Sequence, residues 1–296
     1  MGRDLSSGPH TLRTLVDEVE RILAEAELVF GHGTDNARDE AAWLVLEALG
    51  RSPVAPVMDI EEPVAAQGVS AVQSLLHKRV DSRMPLAYLT GRAWFAGLEF
   101  AVDERSLVPR SPMAELIADR FEPWLMEAPV RRILDIGTGG GCIAVACALA
   151  FPDAHVDAAD IDPGALALAR HNIAFHGVGE RVSIHSADVY AGLPSAQWDL
   201  IVSNPPYVDS DRMAALPREY GHEPQAALAG GPQGLDVIRR IIAGARSRLA
   251  PHGLLVVECG AAAAAVEAQW PRVPFAWPEL DIGDAGIFVL PAADLP

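Results

Sequence analysis

The chain has 296 residues, 50% of them hydrophobic, and a formal net charge of −17 from 23 basic and 40 acidic side chains. That length allows two domains with ample core, and the composition excludes a disordered, collagen-like or disulfide-scaffold chain. No run of Lys or Arg forms a basic stripe for nucleic acid, nearly all the cations being Arg with Lys78 the only lysine, and the acidic balance suits a basic protein partner instead.

The longest apolar stretch, near Cys142–Phe151, is too short to span a bilayer, and the N-terminus lacks the charged-then-apolar pattern of a secretory signal. A cytoplasmic protein without membrane contact is therefore expected. Met1-Gly2-Arg3-Asp4-Leu5-Ser6 has the spacing of a myristoylation signal, but Asp4 and the lack of a second anchor favour a disordered start. Cys142, Cys147 and Cys259 are odd in number and at no metal-ligand spacing, which predicts reduced, buried thiols and no metal site. His185 and His252 read as structural.

Residues 1–84 read as a helical domain. Leu12, Leu15, Val16, Val19, Ile22 and Leu23 form one apolar stripe at helical spacing. Thr34-Asp35 is positioned to cap a second helix with Ala41, Leu44, Val45, Ala48 and Leu49 inward and Gly50 at its end. Pro53, Pro56 and Pro63 mark a loop, and a third helix is expected over Val69–Ser82 with Val72, Leu75, Leu76 and Val80 inward. Residues 85–110 alternate aromatic, glycine and β-branched types and read as a hairpin linker, with Trp94, Phe95 and Phe100 as core.

Residues 111–296 read as an alternating α/β domain. Arg132–Val145 reads as strand, glycine loop and helix around Asp135-Ile136-Gly137-Thr138-Gly139-Gly140-Gly141. The glycines allow positive φ and close approach of a ligand, and the helix N-terminus offers unpaired N–H groups. The frame starting at Gly139 fits a dinucleotide fingerprint. Asp135 favours S-adenosylmethionine, which carries a sulfonium and an ammonium but no phosphate.

A second strand, His155–Asp160, ends on Asp160, 19 residues after Gly141, where a carboxylate suits a ribose diol. Asp162-Pro163 opens the next helix, Ala165–Ala174, with Asp162 as its cap. A third strand, Arg181–Ser186, delivers Asp188, either a turn former or an acceptor for an adenine amino group. The fourth, Trp198–Ser203, runs into Asn204-Pro205-Pro206-Tyr207. Residues before proline are held extended, and prolines lack N–H donors. The result is a stiff ledge with the Asn204 side-chain oxygen and Pro205 carbonyl as acceptors and Tyr207 alongside. That pair matches the two protons of a planar NH2 group and leaves the nitrogen's face open to an electrophile. Later strands are expected over Gly253–Cys259 and as a final pair, Phe275–Ile282 and Gly286–Leu290; Ala261–Ala265 reads as helix. All four motifs fall at the carboxyl ends of successive strands, where open α/β sheets bind ligands.

From about Pro85 to Ile287 the chain resembles the HemK/Prm-type protein-(glutamine-N5) methyltransferases, on the Asp-x-Gly-Thr-Gly loop, the ledge and Glu223-Pro224-Gln225-Ala226-Ala227-Leu228-Ala229-Gly230-Gly231-Pro232-Gln233-Gly234-Leu235-Asp236. Ala93–Phe100, Val102–Arg105 and Leu107–Pro112 resemble the branch acting on ribosomal protein L-three. Release-factor enzymes, the alternative branch, usually carry Pro-Glu/Asp-Thr where Ser111-Pro112 stands. Gly31–Asn36 is similar to the same ribosomal-protein branch. Ala101 stands in place of a usual aromatic, and Gly140 in place of a usual Ser, which implies a more mobile loop. The resemblance implies a class I fold: a Rossmann-like doubly wound sheet with its last strand antiparallel, plus a small N-terminal helical domain that recognises substrate. It implies S-adenosylmethionine held by Asp135, Ile136, Gly137, Thr138, Gly139, Gly141, Asp160, Asp188, Val189 and Asn204. Asn204, Pro205, Pro206 and Tyr207 would carry methyl transfer to a protein glutamine. An adenine or guanine amino-methyltransferase is the rival enzyme, and a ribosome-assembly module with a relic pocket the rival without catalysis.

Overall fold

The computed structural model describes residues 4–54, 59–125, 129–281 and 286–296. Met1–Arg3 of the acylation-like start, Pro56 of the proline loop and Ile282 at the end of the expected strand lie outside the described residues. The chain divides into two compact units: residues up to Arg92 together with Pro217–His222, and Ala93–Leu216 together with Glu223–Pro296.

The first unit is helical. A two-residue strand β1 (His10–Thr11) pairs antiparallel with β2 (Pro63–Val64). Helix α1 (Leu12–Glu25) starts in a capping box on Thr11 and buries all six residues of its apolar stripe. Helix α2 (Ala37–Ala48) is capped by Asn36 rather than by Thr34-Asp35. The Asn36 side chain, on extended backbone, accepts from the Asp39 amide at 2.9 Å, as the strongest N-cap residues do. Helix α3 (Ala66–Ser82) starts three residues early and buries Val72, Leu76 and Val80, while Leu75 is only half-buried. It also buries Arg79, paired with Glu40 of α2 at 2.7 Å. Both members of that pair are buried, so removing either strands a charge and costs about 3–5 kcal/mol. Glu219, from the returning segment, accepts from the Val29 amide at 3.1 Å and pairs with Arg83 at 2.6 Å. The short α4 (Leu86–Thr90) ends on Gly91 in the left-handed conformation.

A hairpin of β3 (Arg92–Phe95) and β4 (Leu98–Ala101) starts at the division between the units, with Ala93 onward in the second. Positive φ at both Ala96 and Gly97 gives the two-residue turn that matches strand twist. Phe95 and Phe100 are buried and Trp94 is half-buried. After α5 (Met113–Ala118) come β5 (Arg132–Ile136), α6 (Cys142–Ala150), β6 (His155–Asp160), α7 (Pro163–Phe175), β7 (Val182–Ser186) and β8 (Trp198–Ser203). Then follow α8 (Ser210–Ala215), α9 (Gln225–Leu228), α10 (Asp236–Arg248), β9 (Leu249–Glu258), α11 (Ala263–Gln269) and β10 (Ile287–Pro291).

The strands form one sheet in the order β10-β9-β8-β5-β6-β7, parallel throughout except for the antiparallel β10. This is the doubly wound sheet with a reversed last strand. Strand order changes direction between β5 and β8, the topological switch point at which such sheets bind ligands. One face carries Leu134, Ile201, Leu255, Val257 and Phe288 under α10, whose Ile238, Ile241, Ile242 and Ala245 are buried. Each buried aliphatic side chain there contributes about 1.5–3 kcal/mol.

The expected strand Phe275–Ile282 does not form over its described part. Instead of a ladder, Ala276 makes an isolated bridge to Val289. Pro274 and Pro278 remove ladder donors on either side, and Phe275 and Trp277 pack against Phe288 instead. Cys147 and Cys259 are buried and Cys142 half-buried, all as free thiols. Among the described residues, no helix is long and apolar enough to cross a membrane, and no His, Cys, Asp and Glu cluster is arranged to hold a metal ion.

Candidate active site

The glycine loop joins β5 to α6 at the switch point. Gly137, Gly139 and Gly141 all have positive φ, and a Cβ at Gly141 would stand 3.2 Å from the Ala169 Cβ on α7. Glycine is therefore needed at Gly141 both for backbone conformation and for the close approach of α7. The amides of Gly137 and Thr138 donate to the Ala159 carbonyl at 2.8 and 2.9 Å, tying the loop to the end of β6. Gly140 is not slack: its carbonyl accepts from Asn172 Nδ2 at 2.8 Å, and the same buried amide bonds both backbone groups of Ala101 in the hairpin.

Asp135 is 0% exposed and lies beneath this loop. Its Oδ2 accepts from the Thr138 hydroxyl at 2.6 Å, and Oδ1 makes no well-formed hydrogen bond. Burial, with a smaller push from the Asp160 charge, raises its carboxyl from 3.8 to about 7, against the pull of the Thr138 hydroxyl. Asp135 thus organises the loop from below. Ile136 and Thr138 are buried with it, so of this run it is the backbone of Gly137, Gly139 and Gly140 that reaches the surface.

Asp160 closes the other side. Its Oδ2 accepts from the Gly139 amide and its Oδ1 from the Asp162 amide, both at 2.9 Å. A carboxylate has about four acceptor positions, and with the Ile161 amide also acting on it as a donor, capacity remains for a ligand hydroxyl. Asp162 is the cap of α7, accepting from the Gly164 and Ala165 amides, with Pro163 in the first turn. The Ala187 amide donates to the Asp160 carbonyl at 3.0 Å, which brings the end of β7 alongside. There Asp188 is exposed and pairs with Arg240 at 2.7 Å, and Arg240 holds its carboxyl below the ordinary value. Val189 is buried with a φ of +56°, a left-handed conformation rare for a β-branched residue.

The ledge leaves β8 next to the loop. A Cβ at Gly137 would lie 3.9 Å from the Asn204 carbonyl oxygen, and the Ser203 hydroxyl donates to the Ile136 carbonyl at 2.7 Å. The Asn204 side chain is half-exposed, and its amide makes no hydrogen bond to the described residues. Pro205 is buried and Pro206 half-buried. Tyr207 donates its hydroxyl to Glu258 Oε1 at 2.9 Å, and burial, then the Glu258 charge, raises its phenol well above the ordinary value.

Several residues that shape the site carry no local signal. Behind the ledge, the Val208 amide donates to the Leu228 carbonyl and the Gly230 amide to the Val208 carbonyl. The glycine-rich stretch after Glu223 therefore runs as a backing strip along the ledge. Glu223, buried, takes a bidentate pair from Arg110 at 2.6 and 2.7 Å and the Val108 amide at 3.1 Å. Glu258 sits at the end of β9 and takes Tyr207 and Ser111 together.

Residues 16–91 match the family model described as the PrmC N-terminal domain, and residues 116–218 the one described as the methyltransferase small domain. A ribosomal protein uL3 glutamine methyltransferase of Burkholderia pseudomallei is 43% identical, with 97% of this chain and 96% of that protein covered. Those of Bordetella pertussis and Xanthomonas campestris pv. campestris are each 44% identical, over 90% and 97% of this chain and 90% and 92% of theirs. The chain belongs to the ribosomal protein uL3 glutamine methyltransferase family. It is thus an enzyme of the methyltransferase class with the fold expected of one. Membership in the uL3 glutamine methyltransferase family also agrees with the resemblance carried by Ser111-Pro112 and Gly31–Asn36.

Proposed function

We propose that the chain transfers a methyl group from S-adenosylmethionine to the side-chain amide nitrogen of a glutamine in ribosomal protein uL3. One observation carries the chemistry: the Asn204 backbone carbonyl lies beside Gly137 of the glycine loop at the switch point, and its half-exposed side chain opens a ledge whose prolines offer acceptors and no donors. The 43% identity over nearly the full length to a uL3 glutamine methyltransferase supports the substrate.

The residues fit the cofactor. The surface backbone of Gly137, Gly139 and Gly140 gives a cradle without side chains, and the remaining acceptor capacity of Asp160 suits a hydroxyl of a ribose diol. Asp188, held by Arg240, keeps lone pairs for an adenine amino group, and Val189 lies buried beside it. Asp135 gives the loop partial negative character beneath a cationic ligand. The bound cofactor supplies an electrophilic methyl group.

An amide nitrogen is a poor nucleophile because its lone pair is delocalised into the carbonyl. The Asn204 side-chain oxygen and the Pro205 carbonyl accept its two N–H groups, raise electron density on nitrogen and fix which face it presents. Tyr207 packs along the amide plane. Alignment of this kind supplies much of the rate, and acceptors where positive charge develops add to it. The product's surplus proton leaves to water, so no side chain acts as acid or base.

The helical unit, residues 1–84 with a hairpin linker over 85–110 before the catalytic part, serves substrate recognition in this reading. Its partner is a basic protein rather than nucleic acid, met in the cytoplasm, and the net charge of −17 favours that encounter. The test offers the enzyme uL3, a peptide chain release factor and ribosomal RNA together with labelled cofactor, then maps the methyl group by mass spectrometry. Label on a uL3 glutamine is the expected result. Label on the release factor or the RNA would replace the substrate, and label on none of them would remove the activity.

A further inference from the structure

Proline cannot fix the orientation of Tyr207, because its ring turns about its own side-chain torsions. Three features hold it. Its hydroxyl is bonded to Glu258 Oε1 at 2.9 Å. The opposite oxygen, Oε2, accepts from the Ser111 hydroxyl at 2.5 Å. Gly260 leaves room for the ring edge, since a Cβ there would lie 2.7 Å from Tyr207 Cε2. Glu258 itself is 4% exposed, and its backbone stands opposite Ile287 of β10, one residue past the last β9 residue paired with β8.

A buried carboxylate costs free energy unless its oxygens are satisfied. Burial pushes the Glu258 carboxyl above its ordinary value, and the Ser111 and Tyr207 hydroxyls, with Arg110 nearby, pull it back. The carboxyl stands at a strand end where its tyrosine partner is the ledge aromatic. Arg110, next to Ser111, clamps Glu223 at the head of the glycine strip behind the ledge. Ser111 and Arg110 thus brace the ledge from two sides.

We infer that Glu258 is a positioning residue for methyl transfer: with Ser111 on one oxygen and the Tyr207 hydroxyl on the other, it holds the Tyr207 ring in the one plane along which the substrate amide packs. This rests on the proposed glutamine chemistry and adds to it a residue that touches neither substrate nor cofactor. Oriented second-layer groups of this kind are what hold a reacting geometry to within a fraction of an ångström.

The test compares wild type with Glu258→Leu, Glu258→Gln, Tyr207→Phe and the Glu258→Leu/Tyr207→Phe double variant. Glu258→Leu keeps the side-chain volume and removes both acceptors; it should lower kcat about tenfold with little change in cofactor affinity. Glu258→Gln keeps an acceptor for Tyr207 and should recover most of that loss. Tyr207→Phe should cost about as much as Glu258→Leu, and the double variant no more than either, because both break one linkage. Additive losses, or a fall in cofactor affinity that parallels kcat, would overturn the inference. A second readout needs no turnover: in protein labelled with 3-fluorotyrosine, the Tyr207 fluorine resonance, assigned by its loss in Tyr207→Phe, should move in Glu258→Leu and return in Glu258→Gln. An unmoved resonance overturns the inference even if wild type proves inactive on glutamine. Wild-type inactivity with a moved resonance overturns the glutamine reading alone.

Discussion

Replacing Gly230 by alanine adds one methyl group behind the ledge and should separate chemistry from cofactor binding. Gly230 does not occupy the left-handed region, so alanine meets no backbone strain there; the perturbation is steric. The added Cβ would stand 2.7 Å from Tyr207 Cα and 2.8 Å from both the Pro206 oxygen and Gly234 Cα. Carbon atoms pack at about 3.5–4.0 Å, so something must move by roughly 1 Å, and every atom in the way is backbone. The Gly230 amide bond to Val208 and the Gly234 turn hold the strip, which leaves the ledge to take part of the shift. A displacement of about 1 Å at a reacting group costs on the order of 10²-fold in turnover, and overpacking of this size costs about 1–3 kcal/mol of stability. Single-turnover methyl transfer, calorimetric titration of the cofactor and a thermal melt measure the three quantities separately. The expected pattern is a large loss of rate, near-native cofactor affinity and a modest fall in Tm. Near wild-type turnover in a folded variant would refute the reasoning, because the ledge would then not set the geometry.

Two further outcomes follow from the acidic residues. Asp160→Ala should weaken cofactor binding by about 1–3 kcal/mol, the scale of hydrogen bonds to a charged group, and should also loosen the loop because the Gly139 amide loses its acceptor; unchanged affinity by calorimetry would return Asp160 to a purely structural role. Asp135 binds its proton up to about 7 in the fold but only to about 3.8 in the unfolded chain, so its contribution to stability is full below about pH 4 and is lost as pH rises to about 7. Asp135→Asn cannot ionise, and its unfolding free energy should fall less steeply than that of wild type between those pH values; identical slopes in denaturant titrations would contradict the burial argument.

Much of the catalytic unit is legible because its signals are local. His155–Asp160 forms a strand with the bounds expected, Asp162-Pro163 caps and opens α7, and the glycine loop lies where strand and helix patterns meet. The first helix is equally plain, since its stripe repeats at one period; its capping box on Thr11 closes on Thr14 and carries no such signal. What escapes depends on partners far away in the chain. Arg79 breaks an apolar stripe and reads as surface until Glu40 is found opposite it. Ser111 and Glu258 are 147 residues apart, and Arg110 and Glu223 are 113 apart, so neither pair leaves a pattern in sequence. Phe275 and Trp277 look like strand residues by type, yet the prolines beside them turn the segment into packing for Phe288. Thr34-Asp35 and Asn36 are all good caps, and only the backbone decides that Asn36 is used.

The most direct measurement is the effect of Asn204→Ala on turnover and on cofactor affinity in the same preparation. The substitution deletes one of the two acceptors proposed for the glutamine NH2 group and leaves the loop, Asp160 and the Pro205 carbonyl in place. Because Asn204 is half-exposed and makes no side-chain hydrogen bond to the described residues, the fold should survive. Turnover on uL3 should drop by about 10²-fold or more while cofactor affinity changes little. A variant that still methylates uL3 at close to the wild-type rate would contradict the ledge as the seat of catalysis.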